Sequence, residues 1–302
     1  MNTAITIVMY HYVRDLAGSE YPDIKGLDIQ GFRRQLDFLS REFNMVTTEE
    51  VIAAYAGEYE LPPKAALLTF DDGYSDHYEF VLPELVKRKL TGAFFVPVKT
   101  VVDHEVLDVN KIHFILAATP DPTTLLSWLK ERVTEYDEMF ELYGKPSRFD
   151  PAEIVFIKGL LQKGLPLERR TKLASELFER CVGRDLQEFS RELYMNEAQL
   201  KEMLAAGMHI GSHGYHHYWW NKLSESEQVF EMDESISFLK SLGVPEHNLT
   251  VCYPYGAYND TTLELAKAKG VKLGFTTVVE EADIQQHACL ELPRLNTNDF
   301  PQ

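Results

Sequence analysis

The chain has few basic residues, few cysteines and no long apolar run, and each of these shortages excludes a class of function. Lysine and arginine together number 30 against 47 aspartate and glutamate residues, and the formal net charge is −17. This balance argues against nucleic acids and anionic membrane surfaces as partners, because both attract basic protein surfaces. No stretch approaches the ~20 apolar residues that a membrane-spanning helix needs. We therefore expect neither a nucleic-acid partner nor a membrane span.

The three cysteines, Cys181, Cys252 and Cys289, lie far apart in the sequence. Because their number is odd and no pair has the spacing of metal ligands, we predict reduced thiols in a reducing compartment. The first apolar run, Ala4 to Tyr10, is too short for the core of a signal peptide and follows no basic residue. These features predict a cytoplasmic protein.

Short apolar runs alternate with helical patterns along most of the chain, which predicts a parallel β-sheet that is open or closed into a barrel. The predicted strands cover residues 5–10, 65–70, 92–98, 208–211, 249–253, 271–276 and 288–292. The interval 107–195 shows only helical patterns, at 109–118, 125–139, 151–161 and 167–181. We predict a single α/β barrel over residues 1–302 with a helical insertion at 107–195, which either borders the site or packs away from it.

Two adjacent carboxylates, Asp71 and Asp72, follow the second predicted strand, and Gly73 comes directly after them. Neighbouring side chains of an extended chain point in opposite directions. The two carboxylates are therefore able to serve different purposes, one toward a metal and one toward a substrate. A simple Asp-Gly turn is the alternative, since both residues tolerate turn geometry.

Two histidines, His213 and His217, follow the fourth predicted strand. Their spacing of four places both imidazoles on one face of a helical turn, where they are able to bind one divalent ion. Asp72 is the natural third ligand, because parallel strands end at the same rim of a sheet. Two imidazoles and one carboxylate leave positions open for water and substrate, as catalytic metal sites do. Packing of surface histidines beside the tryptophans that follow is the alternative.

Three segments resemble the motifs of the polysaccharide deacetylases, the nodulation-type carbohydrate esterase family. They are Thr69 to Tyr74, Ser212 to His217, and Tyr253 to Gly256, in the order that the family has them. The resemblance implies a distorted (β/α)7 barrel, and it implies metal-dependent removal of acetyl groups from N-acetylated sugars.

The resemblance also implies a role for each matched residue. Asp72, His213 and His217 would hold a divalent metal, with zinc expected first and cobalt or nickel as alternatives. Asp71 would be the general base, and the backbone N–H of Tyr255 would help to hold the oxyanion. These roles suit amide hydrolysis, which needs a polarised carbonyl, an activated water and a stabilised tetrahedral intermediate.

The chain departs from the family pattern at two positions. The usual acid histidine near the C-terminus is missing, but the run Val8 to Arg14 resembles the N-terminus of the circularly permuted branch, which includes the poly-N-acetylglucosamine deacetylases. That resemblance implies His11 as the acid that protonates the leaving amine. Cys252 stands where the family commonly has an arginine that orients the base. We predict that Arg294 replaces it, and a surface salt bridge of Arg294 is the alternative.

The candidates for contact with the sugar are residues of these motifs and of the aromatic run after them, namely Tyr74, Tyr215, Trp219 and Pro254. The expected substrate is an N-acetylated sugar or oligosaccharide. The predicted cytoplasmic location favours an intermediate of cell-surface glycan biosynthesis, such as an O-antigen precursor. A catalytically silent glycan-binding protein on the same fold and a different metal-dependent barrel hydrolase are the alternatives.

Overall fold

The computed structural model of the protein describes residues 3–147 and 150–301. These residues form two compact units. The first unit draws on residues 3–15, 26–105 and 190–301, and the second on residues 16–25, 106–147 and 150–189. The structure thus adds a short N-terminal segment to the helical interval that the sequence indicates. The assignment of that interval as an insertion within one domain stays a prediction.

All strands of the described residues belong to the first unit. They are β1 (Ala4–Tyr10), β2 (Val13–Arg14), β3 (Leu27–Asp28), β4 (Asn44–Met45), β5 (Ala65–Phe70), β6 (Ala93–Val96), β7 (His209–Ser212), β8 (Thr250–Cys252), β9 (Leu273–Phe275), β10 (Ala282–Asp283) and β11 (Leu295–Asn296). The main sheet has the order β10-β1-β5-β6-β7-β8-β9, and β2 pairs with β3 separately. From β1 to β9 each pairing along this path is parallel.

The sheet curls until its two ends share one segment. Leu292 forms a parallel bridge with Phe275 of β9, and β11 pairs in parallel with Val8 and Met9 of β1. The segment 292–296 therefore occupies the position of the seventh barrel strand. The distorted α/β barrel predicted from the sequence is confirmed.

The position of the last predicted strand, residues 288–292, is wrong. The N–H of Glu291 bonds to the carbonyl of Ala288, so the chain turns there instead of extending. Pro293 follows, and it has no N–H to give to a ladder. Pairing with β1 begins only at Leu295.

The barrel strands are nearly continuous apolar runs because both of their faces are covered. β5 is buried at every position, and β1 is buried at every position after Ala4. Parallel strands covered on both faces lose the alternation of apolar and polar residues that a half-exposed strand shows. This is why short unbroken apolar runs were sufficient to locate them.

The helices of the first unit are α1 (Ile29–Glu42), α2 (Thr48–Tyr55), α3 (Leu82–Arg88), α4 (Val98–Val102), α11 (Glu197–Ala205), α12 (Glu225–Leu242) and α13 (Asp260–Ala268). Side-chain caps begin α1 and α12: Asp28 accepts the N–H of Gln30, and Ser224 forms a capping box with Glu227. A π-helical turn, His77–Val81, leads directly into α3. Pro83 lacks the N–H that a regular helix would use there.

The second unit consists of Leu16–Lys25 and helices. These are α5 (Asp108–Ala118), α6 (Pro122–Lys130), α7 (Tyr136–Tyr143), α8 (Ala152–Gly159) with a π-helical turn Leu160–Gly164, and α9 (Leu167–Cys181), while α10 (Leu186–Leu193) crosses the boundary between units. The single helix predicted over 125–139 is wrong, because the chain turns between α6 and α7 and buries Val133. Among the described residues, no helix has the length and apolar character needed to cross a membrane.

Candidate active site

The predicted catalytic and metal-binding residues follow the carboxyl ends of four barrel strands. His11 follows β1, Asp71 and Asp72 follow β5, His213 follows β7, and Tyr255 comes three residues after β8. The strands run parallel, so their carboxyl ends meet at one rim of the barrel. In parallel α/β barrels this rim carries the active site.

Asp72, His213 and His217 form a buried cluster in which each residue offers one potential ligand atom. Oδ1 of Asp72 lies 3.4 Å from Nε2 of His213 and 3.4 Å from Nε2 of His217. This carboxylate oxygen has no hydrogen-bond partner among the described residues, and an unpartnered buried oxygen is costly. A divalent cation held by these three atoms would satisfy it. The residues therefore fit a metal site with open coordination positions.

Contacts around the cluster orient its members. Nδ1 of His213 donates to the carbonyl of Cys252 at 2.7 Å, which leaves the lone pair on Nε2 facing Asp72. The hydroxyl of Tyr74 donates to Oδ2 of Asp72 at 2.5 Å, which leaves Oδ1 facing the histidines. Hydrogen bonds of this kind hold the ligands of protein metal sites in place.

Strained backbone is concentrated at the same rim. Among the described residues, six other than glycine have positive φ, and three of them are Asp72 at 73°, His217 at 61° and Tyr255 at 59°. Such conformations cost about 1–3 kcal/mol each and persist where the surrounding structure enforces them, which is common at active sites. The backbone strain thus marks the same rim as the cluster of side chains.

Asp71 is held by Arg294, as the sequence predicts. Nη1 of Arg294 donates to Oδ1 of Asp71 at 2.9 Å, and Nη2 donates to Oδ2 at 2.7 Å. The remaining donors of the guanidinium reach the hydroxyl of Thr69, the thiol of Cys252 and the carbonyl of Thr276. Arg294 is fully buried, so the alternative of a surface salt bridge is excluded.

The ion pair determines the charge state of Asp71. Burial raises the pKa of Asp71, but the charge and hydrogen bonds of Arg294 outweigh burial and lower this pKa to about 2. The carboxylate is therefore ionised at neutral pH. His11 lies on its other side, with Nε2 at 3.9 Å from Oδ2 of Asp71 and its side chain 43% exposed. The position suits a group that meets a substrate arriving from solvent.

Tyr255 and Trp219 form an aromatic pair beside the cluster. Their rings stack with centroids 4.4 Å apart and an interplanar angle of 7°, and the ring of Tyr255 lies 4.7 Å from that of His217. Both residues are partly exposed, whereas Pro254 between β8 and Tyr255 is buried. The geometry therefore brings Trp219 to the site, where its predicted contact with the sugar stays a prediction.

Two other predicted substrate residues lie elsewhere. Tyr74 is fully buried, so its assignment to substrate binding is wrong, and its hydroxyl orients Asp72 instead. Tyr215 directs its hydroxyl to Asp103 at 2.8 Å and packs its ring against Phe230. That side chain contacts residues of α12 and the end of α4 instead of the metal cluster.

Two buried residues near the site were missed from the sequence. Glu231 of α12 bonds to the loop between the two histidine ligands. Nε2 of His77 donates to the carbonyl of His11 at 2.8 Å and so fixes the end of β1. Neither residue had a clear sequence signal. Glu231 lies on the buried face of α12 between the polar residues Gln228 and Ser235, so no apolar pattern singles it out.

A family model described as polysaccharide deacetylase matches residues 58–134 and 182–274, which together make up more than half of the chain. The YxkH protein of Bacillus subtilis (strain 168), named as a polysaccharide deacetylase, is 33% identical over 116 residues. That match covers 38% of this chain and 39% of YxkH, so it spans well under half of the relative.

Solved structures of similar fold cover nearly the whole chain. The Streptococcus pyogenes deacetylase PplD, solved with acetate, has a TM-score of 0.59 at 21% identity and covers 98% of this chain and 93% of its own. IcaB from Ammonifex degensii has a TM-score of 0.60 at 21% identity, with coverage of 98% and 92%. The BpsB deacetylase domain from Bordetella bronchiseptica has a TM-score of 0.58 at 16% identity. The match covers 97% of this chain and 96% of that domain. These similarities show a common fold.

Proposed function

Because the chain belongs to the polysaccharide deacetylase family, we propose that it hydrolyses the N-acetyl group of an amino sugar in a glycan or glycan precursor and releases acetate. One observation carries the proposal. An unpartnered carboxylate oxygen faces two imidazole nitrogens, directly beside a second carboxylate that is held by an arginine. A site that only binds sugars needs neither the ligand cluster nor the ionised neighbour.

Asp72, His213 and His217 would hold the metal, with zinc expected because it accepts mixed nitrogen and oxygen ligands. When bound, a divalent ion supplies Lewis acidity toward a carbonyl oxygen and toward a water molecule. The described residues supply only three ligands here, so room remains for substrate. The contacts of Tyr74 and Cys252 keep two ligands aimed at a common point.

Asp71 is the proposed proton acceptor for the attacking water. Arg294 keeps it ionised and fixes the orientation of the carboxylate by bonding to both of its oxygens. An orientation fixed by a bidentate contact reduces the entropy lost when water and substrate align. The adjacent position in sequence, with Asp72 in a left-handed conformation, places the two carboxylates side by side at one strand end.

His11 is the proposed donor of a proton to the leaving amine. Its ring nitrogen is near Asp71 and its side chain reaches solvent, so it is able to exchange a proton and contact the substrate. The backbone N–H of Tyr255 is the proposed donor to the oxyanion, in line with its position next to His217. The stacked rings of Trp219 and Tyr255 offer a flat apolar surface to a sugar ring.

The test is acetate release from N-acetylated monosaccharides, nucleotide-sugars and oligosaccharides after reconstitution with Zn²⁺ or Co²⁺. We expect Asp71→Asn to keep the metal and lose acetate release, and Asp72→Ala to lose the metal as well. Asp260→Asn on the exposed start of α13 is the matched control and should behave as wild type. Wild-type activity in Asp71→Asn would refute the mechanism, and binding of sugars without acetate release from any of them would favour the silent glycan-binding alternative. The cytoplasmic location and the precursor substrate stay predictions.

A further inference from the structure

The loop that connects the two histidine ligands is tied to a buried carboxylate outside the cluster. Glu231 of α12 is 1% exposed. Its Oε2 accepts the N–H of Tyr215 at 2.8 Å and that of His216 at 3.0 Å, and its Oε1 accepts Nδ1–H of His216 at 2.6 Å. Both carboxylate oxygens therefore accept hydrogen bonds from residues that lie between His213 and His217 in the sequence.

The opposite side of the same loop is tied to α4. The N–H of Val98 donates to the carbonyl of Gly214 at 3.1 Å, and the N–H of Lys99 donates to the carbonyl of Tyr215 at 3.0 Å. Backbone N–H groups of the loop thus bond to α12, and backbone carbonyls of the loop bond to the first turn of α4. A turn held on both sides has little freedom to move either imidazole.

The conformation of the loop needs such restraint. φ is 75° at Gly214 and 61° at His217, so the chain passes twice through the left-handed region within four residues. A Cβ on Gly214 would lie 3.0 Å from Oε2 of Glu231, which shows how closely this carboxylate approaches the backbone. For His217 the conformation is unfavourable by itself, and external hydrogen bonds must maintain it.

His216 serves the anchor and not the metal cluster. Its ring stacks between Tyr218, with centroids 4.8 Å apart, and Phe230, at 5.6 Å, while its Nδ1 reaches Glu231. The imidazoles of His213 and His217 therefore face Asp72, whereas the imidazole of His216 faces α12.

We propose that Glu231 is a positioning residue for the metal ligands, which holds the backbone of residues 214–217 so that His213 and His217 face Asp72 together. The proposal rests on the metal site of the proposed function, but it does not depend on which glycan is the substrate. Outer contacts that orient metal ligands typically change metal affinity about 10–100-fold when they are lost.

The test is titration of the metal-free protein with Co²⁺, followed by the visible absorption of the bound ion, together with urea unfolding of the metal-free protein. Glu231→Asp retains the charge but withdraws the carboxylate by one methylene group, so we expect the Co²⁺ affinity to fall about 10–100-fold with a changed absorption spectrum. Glu231→Gln retains the reach and one oxygen for both backbone N–H groups. We expect its affinity and spectrum to stay near those of wild type.

Glu234→Gln, an exposed carboxylate of the same helix, is the matched control and should match wild type in every readout. If Glu231→Asp binds Co²⁺ with wild-type affinity and spectrum, the proposal is wrong, even if that variant is less stable. Equal losses of affinity in Glu231→Asp and Glu231→Gln would also overturn it, because Glu231→Gln retains the reach to both backbone N–H groups and should then have protected the affinity. Absence of Co²⁺ binding by the wild-type protein would instead refute the metal site of the proposed function.

Discussion

Removal of Arg294 should destabilise the protein far more than removal of a surface arginine. Arg294 is fully buried and gives all five of its N–H donors to protein atoms, two of them to Asp71. Arg294→Met would preserve much of the volume but leave the carboxylate buried without its guanidinium partner. Breaking a buried ion pair from one side typically costs about 3–5 kcal/mol. We expect a loss of that size in the free energy of unfolding at pH 7.

A substitution of Asp71 tests whether the loss of stability in Arg294→Met comes from the ion pair. Asp71→Asn in the Arg294→Met background removes the unpaired charge, so the double variant should recover part of the stability lost in Arg294→Met. A double-mutant cycle from urea unfolding curves yields the coupling free energy, which we expect to be about 2–5 kcal/mol for a buried charged pair. Arg294→Lys retains the charge but not the planar two-pronged contact, so its stability should lie between wild type and Arg294→Met.

The control is Arg41→Met, which breaks an exposed contact between neighbouring residues of α1 and should hardly shift the unfolding midpoint. If Arg294→Met were no more destabilising than Arg41→Met, the ion pair would contribute nothing measurable. A coupling energy near zero with both single variants destabilised would mean that Arg294 acts through packing alone. Either result refutes the assignment of Arg294 as the group that holds Asp71.

Three further predictions concern single residues around the site. Tyr74→Phe removes only the hydroxyl that donates to Asp72, so the affinity for Co²⁺ should fall about 10-fold. Urea unfolding of the metal-free protein should change little. Unchanged affinity would show that this hydroxyl does not orient the ligand. His11→Ala should reduce turnover of N-acetyl substrates more than turnover of activated acetate esters, whose leaving groups need no proton, and equal losses would contradict the assignment of His11 as acid. Burial lowers the pKa of His77 from 6.5 to about 4, so its contribution to stability is complete above pH 6.5 and is lost as the pH falls toward 4. This contribution amounts to about 3 kcal/mol at 1.36 kcal/mol per pKa unit. Unfolding free energies between pH 7 and 4 should therefore depend less on pH in His77→Gln than in wild type or in the exposed control His247→Gln, and parallel curves would refute the account.

The sequence was most informative where function and topology coincide. Parallel strands were visible as apolar runs, and polar residues directly after those runs had to meet at one rim. His11, Asp71, Asp72 and His213 all satisfy this condition, and the structure brings them together. Arg294 was accessible by a similar argument, because it follows the last predicted strand, and it lies within the segment 292–296 that closes the barrel.

The remaining features depend on packing between distant parts of the chain. The burial of Tyr74 and its bond to Asp72 follow from stacking against Tyr12 and Tyr194, which no local pattern reveals. The final strand was misplaced because residues 288–292 are apolar for a different reason. Leu290 is buried within a turn, where its carbonyl accepts the hydroxyl of Tyr253. Hydrophobicity indicates burial, and only hydrogen bonding separates a buried turn from a strand.

The pair of Asp71 and Arg294 joins residues 223 positions apart. During synthesis, the strand before Asp71 leaves the ribosome long before the segment that supplies its partner, and until then burial of the carboxylate is opposed by desolvation. The same late segment, 292–296, also joins β9 to β1. Barrel closure and charge neutralisation therefore belong to one late event of high contact order. We expect a nascent chain whose residues 292–296 are still inside the ribosome to have an open barrel and no hydrolytic activity.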